Sequence, residues 1–407
     1  MIPVAEARAR VIAAAKKLPA EQIALAGALG RVLAEDVRAR RTQPPLPVSA
    51  MDGYAVRAAD VAKIPATLKV IGTVPAGKAY DGAVGPGQAV RIFTGAPVPA
   101  GADTIVIQEN TRAADSTVEV IDGQAPKGRF IRPAGLDFRE GDVLLPAGRV
   151  LTARDVGLAA GMNVPWLKVT RKPRIALLAT GDEIVMPGDP VGANQIVSSN
   201  ALALAAFIVA SGGEAIDLGI APDEEDGLRV MAEGAEGADM LVTTGGASVG
   251  DHDLVQRVLG NVGLEVDFWK IAMRPGKPLI FGHIGKTLLL GLPGNPVSAL
   301  VCATLFLRPA IGAMLGARDI DPPPATAELT DGLPQNDERE DYLRGRISRG
   351  PDGRLRVTAF DRSKQDSSVF SGLAAADALV VRPPHAPAAK AGDIVAIVPL
   401  TGSIYSI

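Results

Sequence analysis

The chain has 407 residues, of which 42 are basic and 45 acidic, and this balance argues against a protein that binds nucleic acid through a basic surface. Its length predicts two to four domains, because single cores rarely grow that large. The single cysteine, Cys302, excludes a disulfide framework and a cysteine-rich metal site.

Other compositional signals point to a protein that does not enter a membrane. Charged residues follow directly after the N-terminus, which therefore does not resemble a signal peptide. No apolar run is expected to reach the roughly 18 residues of a membrane span. The three histidines are scattered, so no zinc cluster is expected, and Cys302 in an apolar run predicts a buried, inert thiol. We expect a soluble, cytoplasmic protein.

The N-terminal part alternates short elements with rigid turns. The spacing predicts an amphipathic helix over 1–17 and short strands over 21–25 and 30–37. A proline-dense stretch over 42–56 should be extended and ordered, since proline fixes φ. From 68 to about 139, short strands between Gly and Pro turns predict a small β module, followed by strands near 142–145 and 149–151 and a helix over 153–160.

The C-terminal part changes character. From 174 to about 315, strands and helices alternate, which predicts a mostly parallel sheet with helices on both faces. The expected strands are 174–179, 214–219, 240–243, 265–271 and 287–291. The expected helices are 200–211, 224–233, 254–259 and 297–315. A triple proline at 322–324 ends this region, and 325–407 is again rich in strand signals, the last over 393–399.

A glycine-rich turn, 243–253, organises the central region. It follows an apolar run and precedes a helical pattern, and similar turns occupy 178–183 and 290–296. Glycine lets the backbone approach a ligand, and helix N-termini present free N–H groups to anions. Backbone groups of Gly245, Gly246, Ser248, Gly250, Gly294 and Asn295 could therefore hold a phosphate. The pattern is neither G-x-G-x-x-G nor a Walker A loop, and plain turn chemistry is the alternative.

Carboxylates follow the same strands. Asp182 and Glu183, Asp223, and Asp251 with Asp253 each come after a predicted strand. Beside a phosphate they would repel it unless a cation such as Mg²⁺ bridges them. The alternative is that several are first-turn acids or helix caps, which the context of Asp223 favours.

Three cations fall within eight residues around a Pro-Gly-Pro context. Lys270, Arg274 and Lys277 are predicted to form a rigid positive corner suited to an oxyanion such as phosphate or molybdate. A solvated loop is the alternative. Asn295 is expected to cap the following helix, with Pro296 at its first position.

These motifs resemble a known family when taken in order. Ser49-Ala50-Met51-Asp52-Gly53-Tyr54-Ala55, the 243–253 turn, Arg274-Pro275-Gly276-Lys277-Pro278 and Leu292-Pro293-Gly294-Asn295-Pro296 are similar to motifs of the molybdopterin molybdenumtransferases, the MoeA and gephyrin E-domain proteins. The resemblance runs through essentially the whole chain.

The resemblance implies an α/β multidomain subunit with a central doubly wound αβ domain of the molybdopterin-binding, MogA-like type. The implied division is an N-terminal helix on the αβ domain (1–25), a segmented linker domain (26–44 and 142–168), an inserted β-domain (45–141), the αβ domain (169–317) and a C-terminal β-barrel-like domain (318–407). It also implies a homodimer whose cleft lies between the αβ domain of one subunit and the inserted and C-terminal domains of the other.

The implied reaction inserts molybdate into the dithiolene of adenylylated molybdopterin, with Mg²⁺-dependent hydrolysis and release of AMP. A molybdopterin adenylyltransferase and acceptor molybdoenzymes are implied as possible partners. The residue assignments carried over by motif are Asp52, Thr94 and Arg132 in the inserted domain, acidic Glu183, Asp223 and Asp253, basic Lys270 and Lys277, turn residues Pro293 and Pro296, and cleft-facing Arg344 and Ser367. Some relatives carry Lys where this chain has Arg274.

Residue type adds a role to several of these positions. Lys270, Arg274 and Lys277 are expected to neutralise molybdate and phosphate, while Glu183 and Asp253 are expected to hold Mg²⁺. Asp52 is expected to organise the opposite wall or transfer a proton. Two other functions stay open: a molybdopterin adenylyltransferase that consumes ATP, and a non-enzymatic scaffold.

Overall fold

The central feature is a six-stranded sheet flanked by helices. The computed structural model describes residues 1–222, 224–245, 258, 260, 263–320 and 324–400. In spatial order the strands of this central sheet are Glu214–Ala221, Arg174–Thr180, Met240–Thr244, Thr287–Leu292, Pro278–Ile284 and Leu264–Lys270. The first four run parallel and the last two join by antiparallel pairing, so the prediction of a mostly parallel sheet is confirmed.

Helices cover both faces of the central sheet because its middle strands are apolar on both sides. In strand Arg174–Thr180, Ile175 and Leu177 enter one core with helix Asn200–Ala210, while Ala176 and Leu178 enter the other with helix Glu225–Glu233. The predicted helix over 254–259 falls outside the described residues except for Val258. The structure therefore has the doubly wound arrangement that the strand–helix alternation indicated.

One strand of the central sheet was missed by sequence reasoning. Pro278–Ile284 pairs antiparallel with both Leu264–Lys270 and Thr287–Leu292. Only Gly285 and Lys286 separate it from Thr287–Leu292, so the chain folds back as a hairpin rather than crossing over. The positive segment 270–277 is thus a connection between antiparallel strands.

A long helix forms the centre of the larger core. It runs as Pro296–Cys302, a π-helical turn Ala303–Leu307, and Arg308–Leu315. By length and composition it could cross a membrane, which corrects the expectation that no segment is long enough. However, 78% of its most apolar window is buried inside the protein, as is typical of a core helix. Cys302 on this helix is buried, and burial raises the pKa of its thiol, consistent with the predicted inert role.

The N-terminal helix is Val4–Ala14, shorter than the predicted 1–17. It contacts Arg308–Leu315 and buries Val4, Ala7 and Val11 in the core shared with the long helix. Two short strand pairs follow: Ala20–Ala24 with Trp166–Thr170, and Val37–Arg38 with Val143–Leu145. The predicted strand over 30–37 is wrong, because only isolated bridges at Val32 and Leu33 precede Val37.

A second sheet of six strands occupies the segment between these pairs. In spatial order its strands are Thr104–Ile107, Gly53–Val56, Gln88–Ile92, Ala66–Val74, Thr117–Val120 and Thr111–Ala114. Beside it, Val48–Ser49 pairs with Ile131–Arg132, and the helix predicted over 153–160 is present as Ala153–Gly161. Short 3₁₀ helices lie at Leu25–Gly27, Ala58–Val61 and Gln108–Asn110.

The C-terminal segment closes into a barrel. Its strands, in ring order, are Glu340–Arg349, Leu355–Ala359, Ala325–Leu329, Ile394–Pro399 and Ala378–Arg382, and the last pairs back with the first. Closure removes the free edges that an open sheet would expose. Outside the ring lie the 3₁₀ helix Arg362–Gln365 and the helix Phe370–Ala374, while Met273–Arg274 pairs with Glu340–Arg349. A further short pair is Ile184–Val185 with Ile196–Val197.

Candidate active site

Three strand-end turns lie side by side at the carboxyl edge of the central sheet. Thr180, Thr244 and Leu292 end neighbouring parallel strands. Gly245 has φ +93°, and a Cβ added there would lie 2.4 Å from the carbonyl oxygen of Thr180. A Cβ added at Gly294 would lie 3.5 Å from Gly245 Cα. Gly245 is therefore required both for its backbone conformation and for the close approach of the Thr180 turn.

Asn200 holds two of these turns together, and sequence reasoning did not select it. Its side-chain amide donates to Thr244 Oγ1 at 2.9 Å and to the carbonyl oxygen of Gly294 at 2.7 Å. Asn200 is the first residue of its helix, a position that sequence reasoning attributes to helix initiation alone. Its hydrogen bonds reach residues 44 and 94 positions away, and no local sequence pattern predicts contacts at such separations.

Two hydroxyl groups at this edge are buried without a partner. Thr180 Oγ1 and Thr243 Oγ1 make no hydrogen bond within the described part of the chain, although the residues are only 2% and 0% exposed. Buried polar groups are normally paired, so such exceptions call for an explanation. Thr180 Oγ1 lies 2.9 Å from a Cβ built on Gly245, which places this hydroxyl against the glycine turn.

Glu183 is the described carboxylate of the predicted metal pair. Its side chain is exposed and folds back over Gly181, where an added Cβ would lie 2.5 Å from Glu183 Oε2. A carboxylate is the hard-oxygen donor that Mg²⁺ takes, so the residue present fits that ion. Its expected companion Asp253 lies outside the described residues, as do Asp223, Gly246, Ser248 and Gly250. The described residues contain no cluster of three or more potential metal ligands.

Asn295 occupies the predicted cap position, with Pro296 next to it, but its side chain makes no capping bond. Instead its amide donates to Ser367 Oγ at 2.8 Å, and the backbone N–H of Val297 donates to the carbonyl oxygen of Ser367 at 3.2 Å. This corrects the predicted side-chain cap. Ser367 of the C-terminal segment thus lies against the turn after Thr287–Leu292, beside buried Pro293.

The three cations of the segment 270–277 have different surroundings. The ammonium group of Lys270 lies 3.6 Å from the centre of the Trp269 ring, and Lys277 is exposed. Arg274 binds the carboxylate of Asp341 and, at 3.1 Å, that of Asp337. Arg274 is therefore already paired with two carboxylates, and its predicted role toward molybdate or phosphate stays a prediction.

Arg344 is fully buried rather than facing a cleft. Its Nε donates to the carbonyl oxygen of Lys364 at 3.0 Å, and its Nη2 donates to that of Asp366 at 3.0 Å. Burial lowers the pKa of its guanidinium, although the charge of Asp366 opposes that effect. Gln365 completes the arrangement by accepting the N–H of Arg344 and donating to its carbonyl oxygen. Arg344 therefore fixes the segment that carries Ser367, which corrects its predicted direct exposure.

Asp52 and Thr94, predicted from separate motifs, form a pair beside the second sheet. The backbone N–H and the hydroxyl of Thr94 donate to Asp52 Oδ1 at 2.7 and 2.8 Å. These bonds hold the pKa of Asp52 below its usual value, the backbone bond being the larger cause. Arg91 lies nearby, stacked over Tyr54 and Phe93. Arg132 is exposed on the short strand Ile131–Arg132, which pairs with Val48–Ser49 and not with the central sheet.

Comparison with known proteins shows that three family models match successive parts of the chain. Residues 2–162 match the family description "MoeA N-terminal region (domain I and II)", residues 176–313 match "Probable molybdopterin binding domain", and residues 326–400 match "MoeA C-terminal region (domain IV)". The central sheet and its turns therefore belong to the molybdopterin-binding class of α/β domains.

Relatives with curated names extend the match to the full length. A molybdopterin molybdenumtransferase from Haemophilus influenzae is 34% identical over 98% of both chains, and one from Nostoc is 38% identical over 80% of this chain and 77% of its own. A solved molybdopterin biosynthesis MoeA protein from Pyrococcus horikoshii has a TM-score of 0.84 at 27% identity and covers 98% of this chain and 100% of its own. The chain belongs to the molybdopterin molybdenumtransferase family and is a transferase of molybdenum cofactor biosynthesis.

Proposed function

We propose that the protein inserts molybdate into the dithiolene of adenylylated molybdopterin, with Mg²⁺-dependent hydrolysis of the phosphoanhydride and release of AMP. The observation that carries this proposal is the set of turns that Asn200 joins through Thr244 and Gly294, within the segment matched as a probable molybdopterin binding domain. We propose a cytoplasmic location, because the apolar helix Pro296–Leu315, although long enough to span a membrane, is mostly buried inside the protein.

The turns would bind the phosphate groups of the substrate. Gly245 and Gly294 keep the backbone free of side chains there, and the unpaired hydroxyls of Thr180 and Thr243 offer hydrogen bonds that the described residues leave unused. Gly246, Ser248 and Gly250 would extend this surface. Backbone N–H groups and hydroxyls suit a phosphate because they bring donors without steric bulk.

Positive charge would come mainly from Lys270 and Lys277. Lys277 is exposed, and no ion pair with a described carboxylate occupies it. Arg274 would act differently, because Asp337 and Asp341 already hold its guanidinium. We propose that Lys277 and Lys270 attract molybdate and the terminal phosphate.

Glu183 and Asp253 would hold Mg²⁺, with Asp223 close to the substrate. When bound, this ion would neutralise the phosphoanhydride and make its leaving oxygen less basic. Glu183 is the one of these three acids that lies within the described residues. Its carboxylate lies over Gly181 without a basic partner, so it remains available as a ligand.

The Asp52–Thr94 pair would form the opposite wall of a cleft in a homodimer, each subunit presenting its pair and Arg132 to the turns of the other. The bonds from Thr94 lower the pKa of Asp52 and so favour its ionised form, which would orient the substrate or a water molecule by accepting hydrogen bonds. Ser367 would border the substrate beside Asn295, Pro293 and Pro296, and Arg344 would support it from below.

The deciding experiment measures AMP release from adenylylated molybdopterin with Mg²⁺, with and without molybdate. Release that depends on molybdate, together with metal-loaded cofactor, is the expected result. ATP consumption with free molybdopterin and no such release would assign the protein to the adenylyltransferases instead. Binding of a partner protein with neither turnover would indicate a scaffold. A monomeric mass by light scattering would contradict the proposed homodimer.

A pair of substitutions tests the metal ligands. Glu183→Gln and Asp253→Asn should each reduce Mg²⁺-dependent turnover by about 100-fold or more, since the loss of a ligand weakens the binding of Mg²⁺ and misplaces the phosphate. Asp226→Asn, an exposed acid in the helix Glu225–Glu233, is the matched control and should turn over normally. Near-normal turnover of Asp253→Asn would remove that residue from the metal site.

A further inference from the structure

The C-terminal barrel carries a cavity on its outer surface that the proposed reaction does not use. This barrel pocket has a volume of about 670 Å³ and is lined on one side by Arg346, Ser348, Thr358 and Phe360. Lys364 and the helix Phe370–Ala374 form part of the other side. Ligand pockets for small molecules typically measure about 300–1,000 Å³, so the space suits an organic molecule larger than a bare ion.

Strand alternation explains why these residues face outward. Ile347 and Val357 pack in the core of the barrel, and side chains on either side of them along a strand point the opposite way. Arg346 lies directly opposite Thr358 in the antiparallel pairing of Glu340–Arg349 with Leu355–Ala359. The wall of the barrel pocket is therefore fixed by a regular ladder rather than by a loop.

The second wall is equally well anchored. Leu373 of helix Phe370–Ala374 packs into the core beneath the central sheet, which leaves Ser371 and Gly372 facing the barrel pocket. The carbonyl oxygen of Lys364 is held by buried Arg344, and its ammonium group lies 5.7 Å from the centre of the Phe360 ring. Both walls thus belong to rigid structure.

The barrel pocket carries uncompensated positive charge. Among the described residues, no ion pair joins Arg346 or Lys364 to a carboxylate, whereas Arg354 and Arg356 on the same barrel reach Glu328 and Asp352. The acids that flank Lys364 are held by hydrogen bonds within their own turns and form no ion pair with its ammonium group, although the charges of Asp361 and Lys364 do interact. Asp361 accepts from the N–H of Lys364 and the hydroxyl of Ser363, and Asp366 accepts from the N–H and hydroxyl of Ser368.

The chemistry of the lining defines a ligand class. A guanidinium and an ammonium beside the hydroxyls of Ser348 and Ser371 offer several donors, and the lining of the cavity contains no carboxylate, which favours a phosphate group. Phe360, Val369 and Ala375 add an apolar surface for the remainder of the molecule. A separate cavity of about 610 Å³, lined by Arg274, Asp337, Asp341 and Asp366, lies beyond Phe360, which borders both spaces.

We propose that the barrel pocket binds a small organic phosphate, with Arg346 and Lys364 holding the phosphate and Phe360 contacting the organic part. The ligand would also tighten the segment 362–368, because Lys364 belongs to the segment that brings Ser367 to Asn295. This proposal does not depend on the reaction assigned to the central turns.

Phenyl phosphate is a suitable probe, since it combines a phosphate group with an aromatic ring, and benzyl alcohol is its uncharged counterpart. Isothermal titration of the full-length protein should detect phenyl phosphate and not benzyl alcohol. The double variant Arg346→Ala/Lys364→Ala should weaken binding by about tenfold or more, as hydrogen bonds to charged groups predict. Lys390→Ala, an exposed cation elsewhere on the barrel, is the matched control and should bind like the original protein.

A second variant tests whether the ligand occupies the cavity, by filling the barrel pocket instead of removing its positive charges. Ala375→Phe adds a ring at the rim of the barrel pocket and should abolish binding while leaving the circular dichroism spectrum unchanged. Hydrogen–deuterium exchange should show protection by phenyl phosphate in 355–375. No binding, or binding insensitive to both variants, would overturn the proposal. Protection confined to 178–183 and 290–296 would also overturn it and would instead locate the phosphate at the central turns, leaving the proposed function intact.

Discussion

The central turns and the Asp52–Thr94 pair use similar small polar residues, but they are held in different ways. Two of the three central turns are held by a third segment: Asn200 bonds to Thr244 and Gly294, and Asn295 bonds to Ser367. The Asp52–Thr94 hydrogen bonds also join residues 42 positions apart, but Thr94 is exposed, Asp52 is half-buried, and among the described residues no third segment bonds to the two side chains. A change in the turns should therefore disturb both folding and activity, whereas a change in the pair should disturb activity alone.

The largest effect is expected at Gly245. Gly245→Ala would place a methyl group 2.4 Å from the carbonyl oxygen of Thr180 in a left-handed backbone conformation. We expect a stability loss of about 1–3 kcal/mol from strain and at least about a 100-fold loss of AMP release from misplacement of the turn. Thermal melts and the AMP assay measure the two effects.

Gly237→Ala is the matched control for Gly245→Ala. Gly237 also has a positive φ, +81°, but a Cβ there meets nothing within 4 Å. It should lose some stability through strain and retain activity. Equal activity loss in both variants would show that backbone strain, and not the contact with Thr180, makes Gly245 necessary.

The next effect concerns Thr94. Thr94→Val removes the hydroxyl that donates to Asp52, and Thr94→Ser keeps it. We expect Thr94→Val to lower activity by up to about 100-fold, because the loss of this bond misplaces the Asp52 carboxylate, and Thr94→Ser to stay near the original value. Neither variant should shift the melting temperature by more than about 1–2 °C, since an exposed hydrogen bond contributes little. A melting shift as large as that of Gly245→Ala would remove the distinction between the two regions.

A smaller effect is expected where the barrel meets the central sheet. A double-mutant cycle of Asn295→Ala and Ser367→Ala should give a coupling energy of about 1 kcal/mol, the value of an ordinary hydrogen bond. The cycle of Asn295→Ala with Ser368→Ala is the control and should give almost none, because Ser368 bonds to Asp366. Denaturant unfolding measures both cycles, and equal couplings would contradict a specific Asn295–Ser367 contact.

The smallest expected effect is a dependence of the protein's stability on pH in the acid range. Hydrogen bonds from the side chain and backbone of Arg339, with the charge of Arg274, lower the pKa of Asp337 from 3.8 to about 2. A lowered folded-state pKa adds stability that is present above the unfolded value and is lost as pH falls toward 2. Melting temperatures of Asp337→Asn and the original protein should therefore converge as the pH falls from about 4 to about 2. Asp226→Asn should show no such convergence.

Much of the fold followed from local signals. Apolar runs between glycine turns predicted the parallel strands, and helical spacing predicted helices Val4–Ala14, Ala153–Gly161 and Asn200–Ala210 close to their observed ends. The strand Pro278–Ile284 was missed because the Pro-Gly context before it suggested a loop. No helix separates it from the next strand, so the strand–helix alternation that marked the other strands is missing here. The strand predicted over 30–37 failed because its residues bury apolar side chains without forming a continuous ladder.

The amino-acid sequence by itself determined the glycine turns, the apolar strands and the order of the motifs, because backbone conformation and periodicity are local properties. Only the tertiary structure decided how the charged side chains are used. Arg274 is neutralised by residues 63 and 67 positions away, and Arg344 is buried around backbone carbonyls 20 and 22 positions away. A charge acts according to its neighbours, and those neighbours are brought to it by folding.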